Sequence, residues 1–285
     1  MRPARAALTL GRALFGFVNS PASHTAPASL EEIRLGERLG QGGMSQVWAA
    51  TTAAGTPVAV KVSNPGSASP AVARQLVRRE YGFLHELSHR NIVSVLGLIE
   101  MDTELGIVME YVGGGDLVSL AGSPPRHWLA LAARVAGALE YLHASGVVHR
   151  DIKARNILLR QGDEPCLIDF SLAAAVGARS PRGGGTAAYQ SANQRRGGPA
   201  AVGDDLYAFA ALIYELWTGA LPFGRHPSPE TLARSGELRA MLESRGAEGL
   251  NPLAELVSGT LSSRKKGPCG GIGPFLDALE LAVNG

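Results

Sequence analysis

From about residue 32 onward the apolar positions follow two rhythms, and the change between them divides the chain. As far as residue 111 they come in short β-prone runs: Val47-Trp48, Val58 to Val62, then NIVSVLGLIE and LGIVMEYV, punctuated by Gly and Thr. Runs of this length bounded by turn residues predict strands, and IRLGERLGQGGMSQVWAATTAAGTPVAVKVS reads as an antiparallel meander. One helix interrupts them, SPAVARQLVRREYGFLHELS, where Ser69 is placed to cap and Pro70 suits the first helical position. After Gly113, Gly114 and Gly115 the pattern turns helical. RHWLALAARVAGALEYLHASG sets Trp128, Leu131, Val135, Leu139 and Leu142 on one face and ends at Gly146. DDLYAFAALIYELWTG is apolar on nearly every side, which predicts a central buried helix.

Composition excludes several classes. At 285 residues the chain is long enough for one large domain or two lobes. Lys plus Arg (27) nearly balances Asp plus Glu (25) without any long block of one sign, so nothing electrostatic points to nucleic acid. Arg264-Lys265-Lys266 reads as a solvated turn. No apolar run is long enough to span a membrane. The two cysteines differ in context, Cys166 in the apolar CLIDF and Cys269 in a Gly-rich loop, which fits a reducing compartment better than a disulfide framework. Residues 1–30 have no acid, carry Arg2, Arg5 and Arg12, and read as a flexible or targeting tail. Arg12 interrupts the stretch that would otherwise resemble an export signal. A cytoplasmic location follows, although the tail's composition also fits a secreted effector.

HELSH, from His85 to His89, matches the zinc-protease pattern of two histidines one helical turn apart with a glutamate between. A zinc site needs a third ligand from a later element. Here the residues after His89 read as strand, with Glu100 and Glu104 at its far end and no supporting pattern. HELSH therefore reads as a helix end.

Four other motifs carry chemistry. LGQGGMSQV places Gly40, Gly42 and Gly43 in a turn whose backbone N–H groups can approach phosphate oxygens. VAVK puts Lys61 on an apolar strand, where a cation needs an anion, and Glu80 on the next helix is the counter-charge. VVHRDIKARN presents Asp151, Lys153 and Asn156 on a loop, and LIDFS ends an apolar strand in Asp169. Asn and Asp oxygens of this kind suit Mg²⁺ shared with nucleotide phosphates.

These motifs, followed by GTAAYQSANQ and DDLYAF, arrive in the order and spacing of the eukaryotic-type (Hanks-type) protein kinases, which the chain resembles over about residues 35–283. The glycine loop suggests a bacterial member. The resemblance implies a two-lobed α+β fold over residues 31–283. A small antiparallel-sheet N-lobe with one helix (31–111) would precede a larger, mainly helical C-lobe (112–283). It implies that Leu39, Gly40, Gln41, Gly42, Gly43, Met44, Ser45 and Val47 cover ATP, and that Lys61, positioned by Glu80, holds its α- and β-phosphates. Asn156 and Asp169 would bind Mg²⁺. Asp151 would accept the substrate hydroxyl's proton, and Lys153 would steady the γ-phosphate. Val47, Ala59 and Leu158 would sandwich the adenine in front of Met109, backbone groups of Glu110 and Val112 would meet its edge, and Asp116 the ribose. Asp205 would brace the catalytic loop, and Thr186 would reach Asp151 and Lys153. Lys153 two residues after Asp151, with Gly185-Thr186 later, resembles the Ser/Thr branch acting on protein substrates, autophosphorylation included. Arg150 would meet a phosphate in the activation segment, for which Ser180, between Arg179 and Arg182, is the candidate acceptor. The oligomeric state is open.

Three positions depart from the family pattern. Ser45 stands for the loop's third glycine, Ser171 for the glycine of Asp-Phe-Gly, and Ser191-Ala192-Asn193 for Ala-Pro-Glu. The missing glutamate would pair with an arginine, here Arg264, so Asn193→Glu is expected to raise the melting temperature. The departures leave open a silent, nucleotide- or partner-binding pseudokinase. A small-molecule phosphotransferase is disfavoured by the intact Gly-Thr.

Overall fold

The computed structural model describes residues 33–64, 66–67, 69–101, 104–179, 184–228, 231–232, 234–245, 249–262 and 271–284. Residues 1–30, Ser180, Arg182, Arg264, Lys265, Lys266 and Cys269 lie outside them. The chain forms two compact units, one from the residues up to Ser88 with Val93–Val112, the other from His89–Ile92 with Gly113 onward.

The first unit is a five-stranded antiparallel sheet with one helix. Its strands are β1 (Ile33–Gln41), β2 (Ser45–Thr52), β3 (Pro57–Ser63), β4 (Val95–Met101) and β5 (Glu104–Glu110), in the order β1-β2-β3-β5-β4. The meander expected for residues 33–63 is present, but β5 inserts between β3 and β4. Every residue of β3 after Pro57 is buried, so it reads as one apolar run interrupted by Lys61. Val58, Val60 and Val62 face one core with Ile33, Ala50, Ile99 and Val108, where each valine or isoleucine is worth roughly 1.5–3 kcal/mol of burial.

Between β3 and β4 runs α1 (Pro70–His85), whose buried stripe is Ala73, Val77, Glu80 and Leu84. Pro70 starts it as expected. Ser69 does not cap it: its hydroxyl makes no capping bond, and its backbone sits at φ −142° and ψ 87°.

The second unit is mainly helical: α2 (Leu129–Ala144), α3 (Ala192–Arg195), α4 (Val202–Thr218), α5 (Leu238–Ser244), α6 (Asn251–Ser262) and α7 (Gly273–Asn284). The five α2-face residues expected to be buried all are, although Trp128 precedes the helix as its N-cap. The helix α4 is buried from Asp204 to Tyr214 and ends on Gly219 at φ 76°, the left-handed conformation a side chain resists. Phe209 of α4 meets Phe275 of α7 edge to face at 5.4 Å. Two short ladders, β6 (Val147–Val148) with β9 (Ala174–Ala175) and β7 (Ile157–Arg160) with β8 (Glu164–Leu167), carry the loops considered below. Among the described residues no helix is long and apolar enough to cross a membrane.

The strand expected directly after His89 starts only at Val95. Residues 89–92 instead anchor to the second unit. Asn91 Nδ2 donates to Glu164 Oε1 and to the Pro165 carbonyl, both at 2.7 Å. Ile92 forms a parallel bridge with Leu167. HELSH is a helix end: α1 stops at His85, whose Nδ1 lies 3.4 Å from the Tyr81 hydroxyl, while His89 stacks on Tyr141. No His, Cys, Asp and Glu group suited to a metal occurs among the described residues.

Candidate active site

In the first unit, the turn between β1 and β2 holds Gly42 and Gly43, with Gly40 at the end of β1. It closes through Gly42 N–H to the Ser45 carbonyl (2.8 Å). Asn64, just past β3, donates from Nδ2 to the Gly43 carbonyl at 3.2 Å, and its own N–H reaches the Met44 carbonyl at 2.8 Å. Asn64 is a pin that the motif reading missed, because a single polar residue after a strand carries no signal. None of the three glycines has a positive φ, and a Cβ on Gly40 or Gly43 would meet nothing within 4 Å. Among the described residues neither backbone conformation nor packing requires glycine at positions 40 and 43. Leu39 and Met44 beside the turn are exposed, Gln41 is exposed, and Ser45 is half-buried.

Lys61 Nζ lies 2.7 Å from Glu80 Oε1, with both side chains buried. Glu80 occupies a core position of the α1 stripe, so the helix register that buries Ala73, Val77 and Leu84 also delivers the carboxylate. In the sheet Val47 pairs with Lys61 and Ala59 with Met109. Ala59 and Met109 are buried and Val47 half-buried. The Glu110 N–H donates to the Ser94 carbonyl at 3.0 Å, so that donor is not available to a base. Val112 is the last residue of this unit.

In the second unit, β6 leads into a loop held from beneath by α4. Asp205, fully buried, accepts from His149 N–H (2.8 Å) and Arg150 N–H (2.7 Å), and lies 3.0 Å from His143 Nε2. Arg150 sits at φ 70°, a conformation costing of order 1–2 kcal/mol for a side-chain-bearing residue. Its Nη1 is buried without a hydrogen-bond partner among the described residues.

Asp151, 7 % exposed, is the centre of the network. Lys153 Nζ lies 2.6 Å from its Oδ2 and Asn156 Nδ2 2.9 Å. Thr186 donates its N–H to Oδ1 at 3.1 Å and receives Lys153 Nζ on its hydroxyl at 2.9 Å. The sequence expectation for Thr186 thus matches the geometry. Burial lowers the pKa of His149, and its ring pairs as the neutral form: Nε2 with the Ile168 carbonyl (3.1 Å), Nδ1 with Asp151 N–H (3.2 Å).

Asp169 follows β8 by two residues rather than ending it, at φ 62°, with Ser171 N–H 3.4 Å from its Oδ1. Asp116 caps the following 3₁₀ turn, accepting from Val118 N–H at 3.1 Å, and bridges backbone to backbone with Leu158. Asn156 and Asp169 supply an amide and a carboxylate oxygen, the hard donors that a magnesium ion takes.

Two further features went unread. Tyr189 donates to Glu215 of α4; burial raises the Glu215 pKa, with that hydrogen bond and Arg155 opposing and Asp116 adding to the rise. Arg264 lies outside the described residues, while Asn193 already has partners among them. Its Nδ2 donates to the Pro199 carbonyl (2.9 Å) and to both oxygens of the buried Asp204 (3.1 and 3.2 Å).

A glycine turn and a buried lysine–glutamate pair lie in the antiparallel-sheet unit, and a lysine- and asparagine-buttressed aspartate in the helical unit. Residues 33–254 match the protein kinase domain model, and the chain belongs to that family. It is 35 % identical over 208 residues to a probable serine/threonine-protein kinase of Corynebacterium efficiens. It is 34 % identical over 213 residues to the serine/threonine-protein kinase PknB of Mycobacterium leprae, and 37 % over 221 to PkaA of Streptomyces coelicolor. These alignments cover 68, 70 and 70 % of this chain and 32, 34 and 41 % of those relatives. The chain spans about a third of the length of the first two.

Proposed function

We propose that the chain, with residues 31–283 as its kinase domain, is a serine/threonine protein kinase that transfers the γ-phosphate of ATP to hydroxyls of proteins, its own included, in a Mg²⁺-dependent reaction. The observation that carries this reading is the fixed Asp151. Lys153, Asn156 and Thr186 hold its carboxylate within 2.6–3.1 Å, ready to take the proton of an incoming hydroxyl. Lys153, already near that carboxylate, balances charge on the transferred phosphoryl group. Lys61, oriented by Glu80, binds the α- and β-phosphates, and the turn at residues 40–45 covers them with backbone N–H groups. Mg²⁺ when bound, held by Asn156 and Asp169, offsets the negative charge of the phosphates. Ala59, Val47 and Leu158 contact the base in front of Met109, Val112 contributes backbone groups and Glu110 its carbonyl side, and Asp116 takes the ribose. The serine/threonine kinase names of the relatives support the acceptor class.

The test is intact mass after incubation with Mg-ATP, wild type beside Asp151→Asn, together with label transfer to a generic protein substrate. Phosphate from wild type alone is the expected result. Wild type that labels neither itself nor the substrate overturns the reading in favour of a silent nucleotide- or partner-binding module.

A further inference from the structure

Two glutamines four residues apart, Gln190 and Gln194, bracket the start of α3, and both are buried. The sequence motifs assign them no role, yet their amides converge on the backbone beside Asp151. Gln194, 2 % exposed, donates from Nε2 to the Arg150 carbonyl at 2.7 Å and to the Gly184 carbonyl at 3.1 Å. Gln190 Nε2 donates to the same Gly184 carbonyl at 2.7 Å. One amide thus joins the catalytic loop to the segment that follows residues 180–183.

The join lies where the backbone most needs holding. Arg150 adopts φ 70°, and Asp205 fixes its N–H, whereas Gln194 fixes its carbonyl. Both ends of the residue before Asp151 are therefore tied. Gly185, at φ 103°, is wedged alongside: a Cβ there would stand 3.1 Å from Gln194 Nε2, 3.2 Å from the Arg150 carbonyl and 3.5 Å from Asp151 Oδ1. The next residue, Thr186, gives its N–H to Asp151. A shift of the Gly184 carbonyl is passed through two peptide units to the Asp151 carboxylate.

We propose that Gln194 is a positioning residue for phosphoryl transfer to protein hydroxyls: its side-chain amide locks the Arg150 carbonyl to the Gly184–Thr186 backbone and so sets the aim of Asp151. The proposal rests on the kinase reading above. It makes the amide's donors, not its bulk, the working part.

Gln194→Met keeps the length and removes the donors, and Gln194→Glu keeps the shape and replaces donors with an acceptor facing two carbonyls. Misplacement by a fraction of an ångström costs about tenfold or more in such steps. In Gln194→Met, kcat for protein phosphorylation should fall by about tenfold, with KM for ATP within about twofold and ATP hydrolysis to water falling far less. Gln194→Glu should be worse than Met at pH 8 and regain ground at pH 6, where a protonated carboxyl donates again. Hydrogen exchange in either variant should quicken at residues 184–190 and stay unchanged along α4. An unaltered kcat, or parallel loss of protein phosphorylation and ATP hydrolysis with faster exchange throughout the unit, overturns the proposal. The exchange result stands by itself if wild type transfers no phosphate, so failure of the kinase reading is told apart from failure of the tether.

Discussion

Asn193→Glu restores the residue usual in the family, and the sequence alone makes it a stabilising change. The structure reverses that expectation. The Asn193 amide faces the carboxylate of Asp204, which is fully buried and also accepts from the Ser191 hydroxyl and the Ala201 N–H. A hydrogen bond to a charged acceptor contributes roughly 1.5–3 kcal/mol. Glutamate removes it and sets a second negative charge near the first, which at 4 Å and an effective dielectric of 20 costs about 4 kcal/mol. A loss of at least about 2 kcal/mol follows, or about 5 °C or more in Tm at roughly 2–4 °C per kcal/mol. Asn193→Ala should lose about 1–2 kcal/mol, and Asp204→Asn should rescue the glutamate variant in a double-mutant cycle. The assay is thermal and urea unfolding at pH 7. A Tm at or above wild type, abolished by Arg264→Ala, would refute the reasoning and restore the arginine pairing.

Asp205→Asn leaves one of the His149 and Arg150 N–H groups facing another donor. It should cost about 2–3 kcal/mol and lower protein phosphorylation, both readable by unfolding and label transfer. His149 is held neutral by burial, so its contribution is complete above pH 6.5 and is lost as pH falls from 6.5 toward its lowered folded value. Tm should therefore drop between pH 7 and pH 5, and less steeply in His149→Gln. Glu215 has the opposite sense. Its pKa is raised above 4.5 by burial, so its contribution is full below 4.5 and is lost as pH rises through the folded value. Glu215→Gln should match wild type near pH 4 and gain on it toward pH 7 in the same unfolding assay.

Elements whose character is repeated along the chain were legible before any fold was known. The all-apolar run of α4, the one-faced α2 and the strands around VAVK follow from local periodicity, because burial on one or all sides selects residue type position by position. Lys61, Glu80, Asp151, Asn156 and Asp169 stand out for a different reason: their motifs follow the order and spacing of the protein kinase family. Strand order was not legible, since β5 pairs with β3 across 44 residues or more and no local pattern records which edge it takes. Ser69 is a good capping residue that the tertiary backbone places out of reach.

Polar residues of the second unit mark the same boundary. Asn91, Asn193, Gln190 and Gln194 look in sequence like ordinary loop amides. Each is committed to a carbonyl or carboxylate, and the distance along the chain ranges from 5 to 74 residues. An amide donates equally well to water, so its residue type does not reveal its partner; only burial, which removes water, decides that a specific acceptor must be found. Periodicity and motif order therefore determined the family, while the packing of α3 and α4 against the loop decided how the backbone before Asp151 is held.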